Sequence, residues 1–569
     1  MKISSIAIII SLCFLNVSLA QVQFENQATS LGVDVATGNT IFGNGVAFYD
    51  FDNDGWDDLT LTTEDGEALR FFKNVNGSFV EQDFGLQSID YETKSATWVD
   101  FDNDGDKDLF VTSELGGNKL LENTGSMTFQ DITATTGLPT TVLYTDGATW
   151  GDFNNDSYLD VFLANRTTLV PNKLYQNNGD GTFSDVSFFA GIDLTPALSF
   201  CAAFLDINND GFQDLYVSND RFLFENKMYK NNGDGTFDDI SSSSGTDMAI
   251  DAMTVTVGDY DRDGFFDIYV TNNQTGNYLL RNNGDETFTN AATSSGTEFN
   301  SFSWGAVFFD ANNDTELDLY VAAIADGSTA SLPGGFFLNN GDSTFNLNNS
   351  SFPNDTRESY GNAIGDIDND GLLDLVVTNL NDDDIFLWKN TSVLANDNWL
   401  KVKLTGTVSN RDAIGSIIEI QINGQRQYRY THCGEGYMSQ NSGIEHFGVG
   451  DATILDYVKV TWLSGIVDIV NNVPVNQVLD ITEGNNTLSV ETTNLKDAFI
   501  FPNPVKDIIN IGSNQLVQEV RIFNMLGQKL YSTKDLNNNE IDLSFLSDGY
   551  YFIEVNSAQN YSVYRFIKN

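Results

Sequence analysis

"DFDNDGWDDL" (residues 50–59) sets five acidic side chains within ten positions. Like charges this close repel, so the stretch folds stably only where something neutralises them. The pattern returns as DFDNDGDKDL from Asp100, DFNNDSYLDV from Asp152, DINNDGFQDL from Asp206, DYDRDGFFDI from Asp259, DANNDTELDL from Asp310 and DIDNDGLLDL from Asp366. Seven copies at spacings of 50–56 residues make most of the chain a repeat array.

The flanks repeat as well. Before each copy stands a short run of apolar and small residues (GVAFY, SATWV, GATWG, CAAFL, TVTVG, GAVFF, GNAIG). After it, apolar residues alternate, as at Leu59/Leu61 and Leu215/Val217, which predicts a strand with one face buried. Turn signals such as NNGDGTF (177–183 and 231–237) follow, then an aromatic-led strand. Four short strands in about 50 residues is the size of a propeller blade. The expected fold is all-β, a seven-bladed β-propeller over residues 21–392 with the small-residue strand innermost. Aromatic-led outer strands begin at Phe24, Phe79, Phe129, Phe183, Phe237, Phe288 and Phe345, so one precedes the first motif and none follows the seventh. The strand at Phe24 is therefore expected to complete the last blade and close the ring.

The 569 residues carry 80 acidic and 28 basic side chains, a net charge of −52, with 41% hydrophobic and 12% aromatic content. That apolar content supports packed cores, so the acidity does not mark disorder. It argues against nucleic acid and anionic membrane as partners and favours cations. Residues 21–392 hold 61 acidic and 14 basic side chains, and 25 of those acids sit at motif positions.

Positions 1, 5 and 9 of the motif are Asp in every copy, and position 3 is Asp or Asn. Position 6 is Gly in five copies and Ser157 or Thr315 in the other two. Alternating oxygen side chains around a central turn residue wrap a hard cation such as Ca²⁺. An EF-hand would need Glu at position 12, where this chain has an apolar strand residue, so the loop joins strands instead of helices. The repeats resemble the FG-GAP/VCBS repeats, the calcium-binding blades of integrin α-subunit-like propellers. The resemblance implies Ca²⁺ ligands, up to seven structural ions in all, at Asp50, Asp52, Asp54 and Asp58; Asp100, Asp102, Asp104 and Asp108; Asp152, Asn154, Asp156 and Asp160; Asp206, Asn208, Asp210 and Asp214; Asp259, Asp261, Asp263 and Asp267; Asp310, Asn312, Asp314 and Asp318; and Asp366, Asp368, Asp370 and Asp374. With no His in residues 1–392 and one site repeated seven times, the ions read as structural and no catalytic residue is assigned.

Strands alternate in direction, so the Asp-rich loop and the Gly-rich turn share one face of the ring. The opposite face carries more variable loops, among them ANRTTLVPN, SNDRFLFEN and AAIADGSTASLPGG. Recognition concentrates on such loops, and Arg166, Arg221, Trp304 and Tyr360 are the expected ligand contacts.

The ends read differently. Residues 1–20 form a signal peptide, with Lys2, the apolar run Ile6–Leu15 and the small-residue site Ser18-Leu19-Ala20. No later stretch is apolar enough to span a bilayer. Cys201 and Cys433 are expected to be isolated buried thiols in different domains. Residues 393–490 contain SNRDAIG (409–415), YMSQNS (437–442), HFGVG (446–450) and WLSG (462–465), and resemble the ASPIC/UnbV domain of cartilage acidic protein-like chains. His432 beside Cys433 reads as an ordinary strand pair whose side chains point apart. After a linker at 491–496, residues 497–569 carry Pro502-Asn503-Pro504, Gly527-Gln528 and Phe566-Ile567-Lys568. They resemble the type A C-terminal sorting domain of the type IX secretion system, as a small β-sandwich. That resemblance implies a Bacteroidota-type cell, passage across the outer membrane, the secretion machinery as a partner, and removal of the tail.

These readings together point to a non-enzymatic calcium-binding protein of the cell surface with an extracellular glycan or protein ligand and an adhesion role. The alternative is a secreted polysaccharide-acting enzyme such as a lyase.

Overall fold

The computed structural model describes residues 22–324, 332–394, 398–486, 499–513, 517–524, 529–534, 540–547, 549–556 and 561–568. The stretches expected to be a signal peptide and a linker, and part of the AAIADGSTASLPGG loop, lie outside the described residues. The chain divides into two compact units, Met1–Thr487 and Leu488–Asn569.

Each repeat forms one antiparallel sheet. In repeat three Thr145–Gly151, Asp160–Asn165, Lys173–Asn177 and Phe183–Asp185 pair in chain order, and the other repeats follow suit. Seven such sheets are present among the described residues. The seventh is completed from the other end of the chain, where Phe24–Asn26 pairs with Phe386–Asn390 in the register Phe24↔Asn390. Phe24 is fully buried and its ring stacks on Phe352 at 4.3 Å. The second strands depart from the expectation of one buried face: all six residues of Asp160–Asn165 are buried. Each sheet is sandwiched between two neighbours, so both of its faces are interior.

Two sets of asparagines staple neighbouring sheets on the Asp-rich face. At motif position 4, Asn103, Asn155 and Asn209 donate to the carbonyls of Ser157, Gly211 and Gly264 in the next repeat, and Asn369 donates to Gly55 at 3.1 Å, joining repeat seven to repeat one. These residues adopt positive φ (54–62°), which Asn tolerates better than most side chains. Ser157 and Thr315, in place of Gly at position 6, take positive φ as well (74° and 86°), so the loop keeps its shape there. At the end of the third strand an Asn reaches back in every repeat but the second, where Asn123 bonds within its own repeat. Asn177 donates to Phe101, Asn231 to Phe153, and Asn74 to Ile367 across the closure.

Residues 398–486 form a second β-layered body. The sheet of Asn398–Thr405, Glu445–Gly450 and Val478–Thr482 packs on that of Gln425–Tyr430, Ile417–Ile422, Ile454–Thr461 and Val467–Pro474 around Leu400, Ile418, Phe447 and Trp462. This body is continuous with the ring. Its segment from Cys433 to Ser442 enters the centre and meets every inner strand. Trp150 donates to the Cys433 carbonyl, Gly436 to Val255, and Ser442 to Ile364. Gln440 brackets the Trp98 backbone from both sides (2.7 and 2.8 Å), and Ser439–Gln440 pairs in parallel with Val46–Ala47. Tyr437 fills the axis against Phe200 and Trp304. The segment is a plug, which the sequence reading of a separate accessory module did not anticipate. Cys201 and Cys433 are buried and free as expected, but in the same compact unit.

In the second unit, the sheet of Phe499–Phe501, Ile508–Gly512 and Glu540–Asp542 shares a core with that of Lys529–Thr533, Glu519–Asn524, Gly549–Asn556 and Tyr561–Lys568. This is the expected small sandwich.

Candidate metal centres and the far face

In repeat one the Asp50 carboxylate accepts the backbone N–H groups of Asp54 and Gly55 at 2.9 Å, which folds the loop back on itself. Asp54 accepts the N–H of Trp56, and Asp58 accepts those of Phe51 and Asn74. Positions 1, 5 and 9 thus shape the turn, as a capping role alone would require. Position 3 goes further. Asp52 Oδ1 is buried and has no hydrogen-bond partner, and the same holds for Asp261 Oδ1 and Asp368 Oδ1. Carboxylate oxygens of Asp50, Asp52 and Asp58 lie within 4.8 Å of one another. Equivalent clusters form at Asp100/Asp102/Asp108, Asp259/Asp261/Asp263 and Asp366/Asp368/Asp374. Burial, and after it the charges of Asp52 and Asp50 working against the Asn74 hydrogen bond, push Asp58 up to about 9. Burial and neighbouring carboxylates likewise raise Asp108 to about 8 and Asp259 to about 7. A hard cation fits these orphaned oxygens: the donors are all oxygen, and each cluster resists holding its full negative charge alone.

The repeats are not equivalent. In repeats three, four and six, position 3 is Asn, and its amide donates to the position 5 carboxylate, as Asn154 does to Asp156 at 2.8 Å. In repeats one, five and seven a cation from the third strand lies on the cluster. Lys73 reaches Asp52 and Asp54, Arg281 reaches Asp261 and Asp263, and Lys389 reaches Asp368. Repeat seven also receives buried Lys401, 2.5 Å from Asp366. Repeat two has Glu122 where repeats one, four, five and seven have Lys or Arg, and Asp100 Oδ1 and Asp108 Oδ2 stay unpaired. The sequence singled out repeats three and six by their missing Gly. The structure sorts the sites by position 3 and by the third-strand residue, both readable in the sequence once their places are known.

The second body covers part of this face. Besides Lys401, Lys403 lies 4.0 Å from Asp50 and Arg411 lies 3.8 Å from Asp100. Lys107 pairs with Asp412, and His446 Nε2 lies 3.0 Å from the Gly371 carbonyl. His446 is held neutral, pushed down to about 3 by burial first and by Lys401.

The proposed ligand contacts on the opposite face fare differently. Trp304 and Tyr360, expected in open loops, are 4% and 6% exposed and pack with Tyr437 in the channel core. They stand six residues before the motif, where the inner strand bulges and turns them toward the axis. Arg166 is engaged too: it pairs with Asp220 at 2.5 Å and lies over the Phe42 and Phe200 rings at 3.7 and 4.5 Å. Arg221 alone is open, its side chain 53% exposed. Exposed Leu169, Phe188, Phe189, Phe222 and Leu223, all on repeats three and four, were not singled out by the sequence.

Family models match in three places. The FG-GAP-like repeat model matches residues 50–111, 100–163, 152–217, 206–270 and 259–321, the ASPIC and UnbV model residues 406–488, and the secretion system C-terminal sorting domain model residues 499–569. Cartilage acidic protein 1 of Xenopus tropicalis is 30% identical over 300 residues, covering 48% of this chain and 43% of that protein. The Homo sapiens protein of the same name is 28% identical over 211 residues, covering 35% and 31%. The chain thus spans less than half the length of these relatives. An extracellular domain from B. thetaiotaomicron, described as part of a hybrid two component system, aligns with a TM-score of 0.38 at 13% identity over 93% of this chain and 71% of that one. No helix among the described residues is long and apolar enough to cross a membrane. The sorting domain marks the chain for export across the outer membrane, and the protein is an all-β, propeller-like chain of FG-GAP-like repeats followed by an ASPIC and UnbV domain and a secretion-system sorting domain.

Proposed function

We propose that the protein is a calcium-stabilised, non-enzymatic binding protein of the cell exterior, a seven-bladed ring whose Asp-rich loops hold Ca²⁺ and whose ligand is a glycan or a protein met outside the cell. The orphaned position 3 oxygens carry this reading: a turn needs only the carboxylates that accept backbone N–H groups, and Asp52 Oδ1 accepts none. In repeat one the ion's ligands are Asp50, Asp52, Asp54 and Asp58, and the corresponding residues serve in the other repeats. Bound Ca²⁺ supplies the positive charge that lets buried carboxylates stay ionised. Repeat two, where Glu122 replaces the third-strand cation and Lys119 is paired with Asp131, is the tightest site, and repeat seven, with Lys389 and Lys401, the weakest.

At a site Kd of roughly 0.1–1 mM, about 10 mM Ca²⁺ stabilises by about 1.4–2.7 kcal/mol per ion. Several ions rival a typical net stability of about 5–15 kcal/mol. Thermal unfolding in Ca²⁺ and in chelator, with ions counted by native mass spectrometry, tests this. Melting well below the calcium form in chelator is expected, and an unchanged curve with no bound ion would overturn the reading.

A further inference from the structure

The Asp-rich face holds an open pocket of about 290 Å³ where repeats one and two meet the ASPIC and UnbV domain. We propose that it binds a carboxylate-bearing sugar unit, such as a uronic acid residue of an extracellular polysaccharide. The inference rests on calcium occupying repeats one and two.

Basic side chains are scarce in this chain, yet Lys107, Lys403 and Arg411 all line the pocket. Lys107 is committed to Asp412. Lys403 and Arg411 are not so committed. Their side chains are 35% and 49% exposed, and they stand 4.0 Å from Asp50 and 3.8 Å from Asp100, beyond hydrogen-bonding distance. Arg411 is held in place. Its backbone N–H donates to Asn103, and its guanidinium lies so close over Gly105 that a Cβ there would sit 2.8 Å away.

Asp50 and Asp100 are position 1 residues of their motifs. While they are free, they balance the two cations and the pocket is near neutral. Were each to ligate Ca²⁺, its charge would be engaged, leaving Lys403 and Arg411 as the pocket's unbalanced cations. The pocket then favours an anion. A planar carboxylate matches the guanidinium fork. Tyr49, Asn53 and Thr405, also in the wall, are the kind of groups that meet sugar rings and hydroxyls. The volume is near the lower end for ligand pockets and suits one compact ring better than an extended peptide, which would look for a sheet edge.

The test is calorimetric titration of the full mature chain with trimers of galacturonate, glucuronate, mannuronate and guluronate, and with neutral galactotriose, each with and without Ca²⁺. At least one uronate trimer is expected to bind only with Ca²⁺ while galactotriose does not bind. Lys403→Met and Arg411→Met should each weaken that binding about tenfold or more, with the bound-ion count by native mass spectrometry unchanged. If the chain binds ions but no uronate trimer, or binds one equally well in both variants, the pocket assignment is wrong. If a poly-glutamate peptide binds at this pocket more tightly than every trimer, the ligand is a protein segment and the sugar assignment falls. If no ion binds at all, the calcium reading fails first, and the ion count separates that failure from this one.

Discussion

The Tyr437 hydroxyl donates to the Phe42 carbonyl at 2.7 Å, across 395 residues of sequence. Tyr437 belongs to the plug, and Phe42 to the segment just before the first inner strand, so the bond ties the ASPIC and UnbV domain through the ring axis. Replacing Tyr437 by Ala empties a fully buried site among Phe200, Trp304 and Tyr360. A loss of about 3–5 kcal/mol is expected. Tyr437→Phe, which keeps the ring, should cost only about 1 kcal/mol. Denaturant unfolding of both variants checks the difference.

Deleting residues 22–33 removes Phe24 and the strand that completes the seventh sheet. The product should expose the Phe386–Asn390 edge and aggregate. Size-exclusion chromatography decides it: a monomer with unchanged melting would show that closure is dispensable.

Lys73 sits on the carboxylates of repeat one and competes with any ion there. Lys73→Met should therefore raise that site's Ca²⁺ affinity by at least about fivefold, the worth of one charge at short range in a watery site. Asp102→Asn, in repeat two, gives that site the position 3 residue of repeats three, four and six and should instead weaken its ion. Calcium titrations of the two variants are expected to move in opposite directions.

Glu445 lines a cavity of about 80 Å³ with Glu435 and Arg429. Burial first, and then the Glu435 charge, raise it from 4.5 to about 8. A carboxyl raised in the folded state contributes its full stability below pH 4.5 and loses it as pH climbs through about 8. Glu445→Gln stays neutral throughout. It should match the wild type near pH 4 and melt higher by roughly 1–2 °C at alkaline pH. A gap that does not grow with pH would rule out this role.

The sorting domain has its own core, built on Val520, Ile522, Ile553 and Phe566. A chain ending at Thr487 should melt like the longer one and bind the same number of ions, yet stay in the periplasm. Intact mass of surface-released protein should lack residues up to Asn569. Finding them attached, with the truncated chain exported normally, would show that the tail is not a sorting signal.

Much of the ring was legible because its signals are periodic. The motif fixes one loop per sheet, and the surplus strand at Phe24 announced the closure. The plug was not legible: THCGEGYMSQNSG has no alternation, and its bonds go to several separated strands rather than to a neighbour. Trp304 and Tyr360 were misplaced for a related reason. Six residues before each motif stand Asn44, Lys94, Asp146, Phe200, Met253, Trp304 and Tyr360, all buried at the axis despite their mixed chemistry. A position that ranges from Lys to Trp gives no pattern to read, and only the bulged strand reveals that it points inward.

The first and last sheets are joined by groups 361 residues apart, as where Leu387 donates to Asn26. A ribosome adding about 5–20 residues each second leaves the opening strand waiting roughly 20–70 s for its partner. Until then the array has two raw ends and no axle, because Tyr437 is made later still. Early repeats can stack, but the ring cannot lock. The architecture therefore sets the moment of completion near the end of the chain, when Leu387 and then Tyr437 reach their partners.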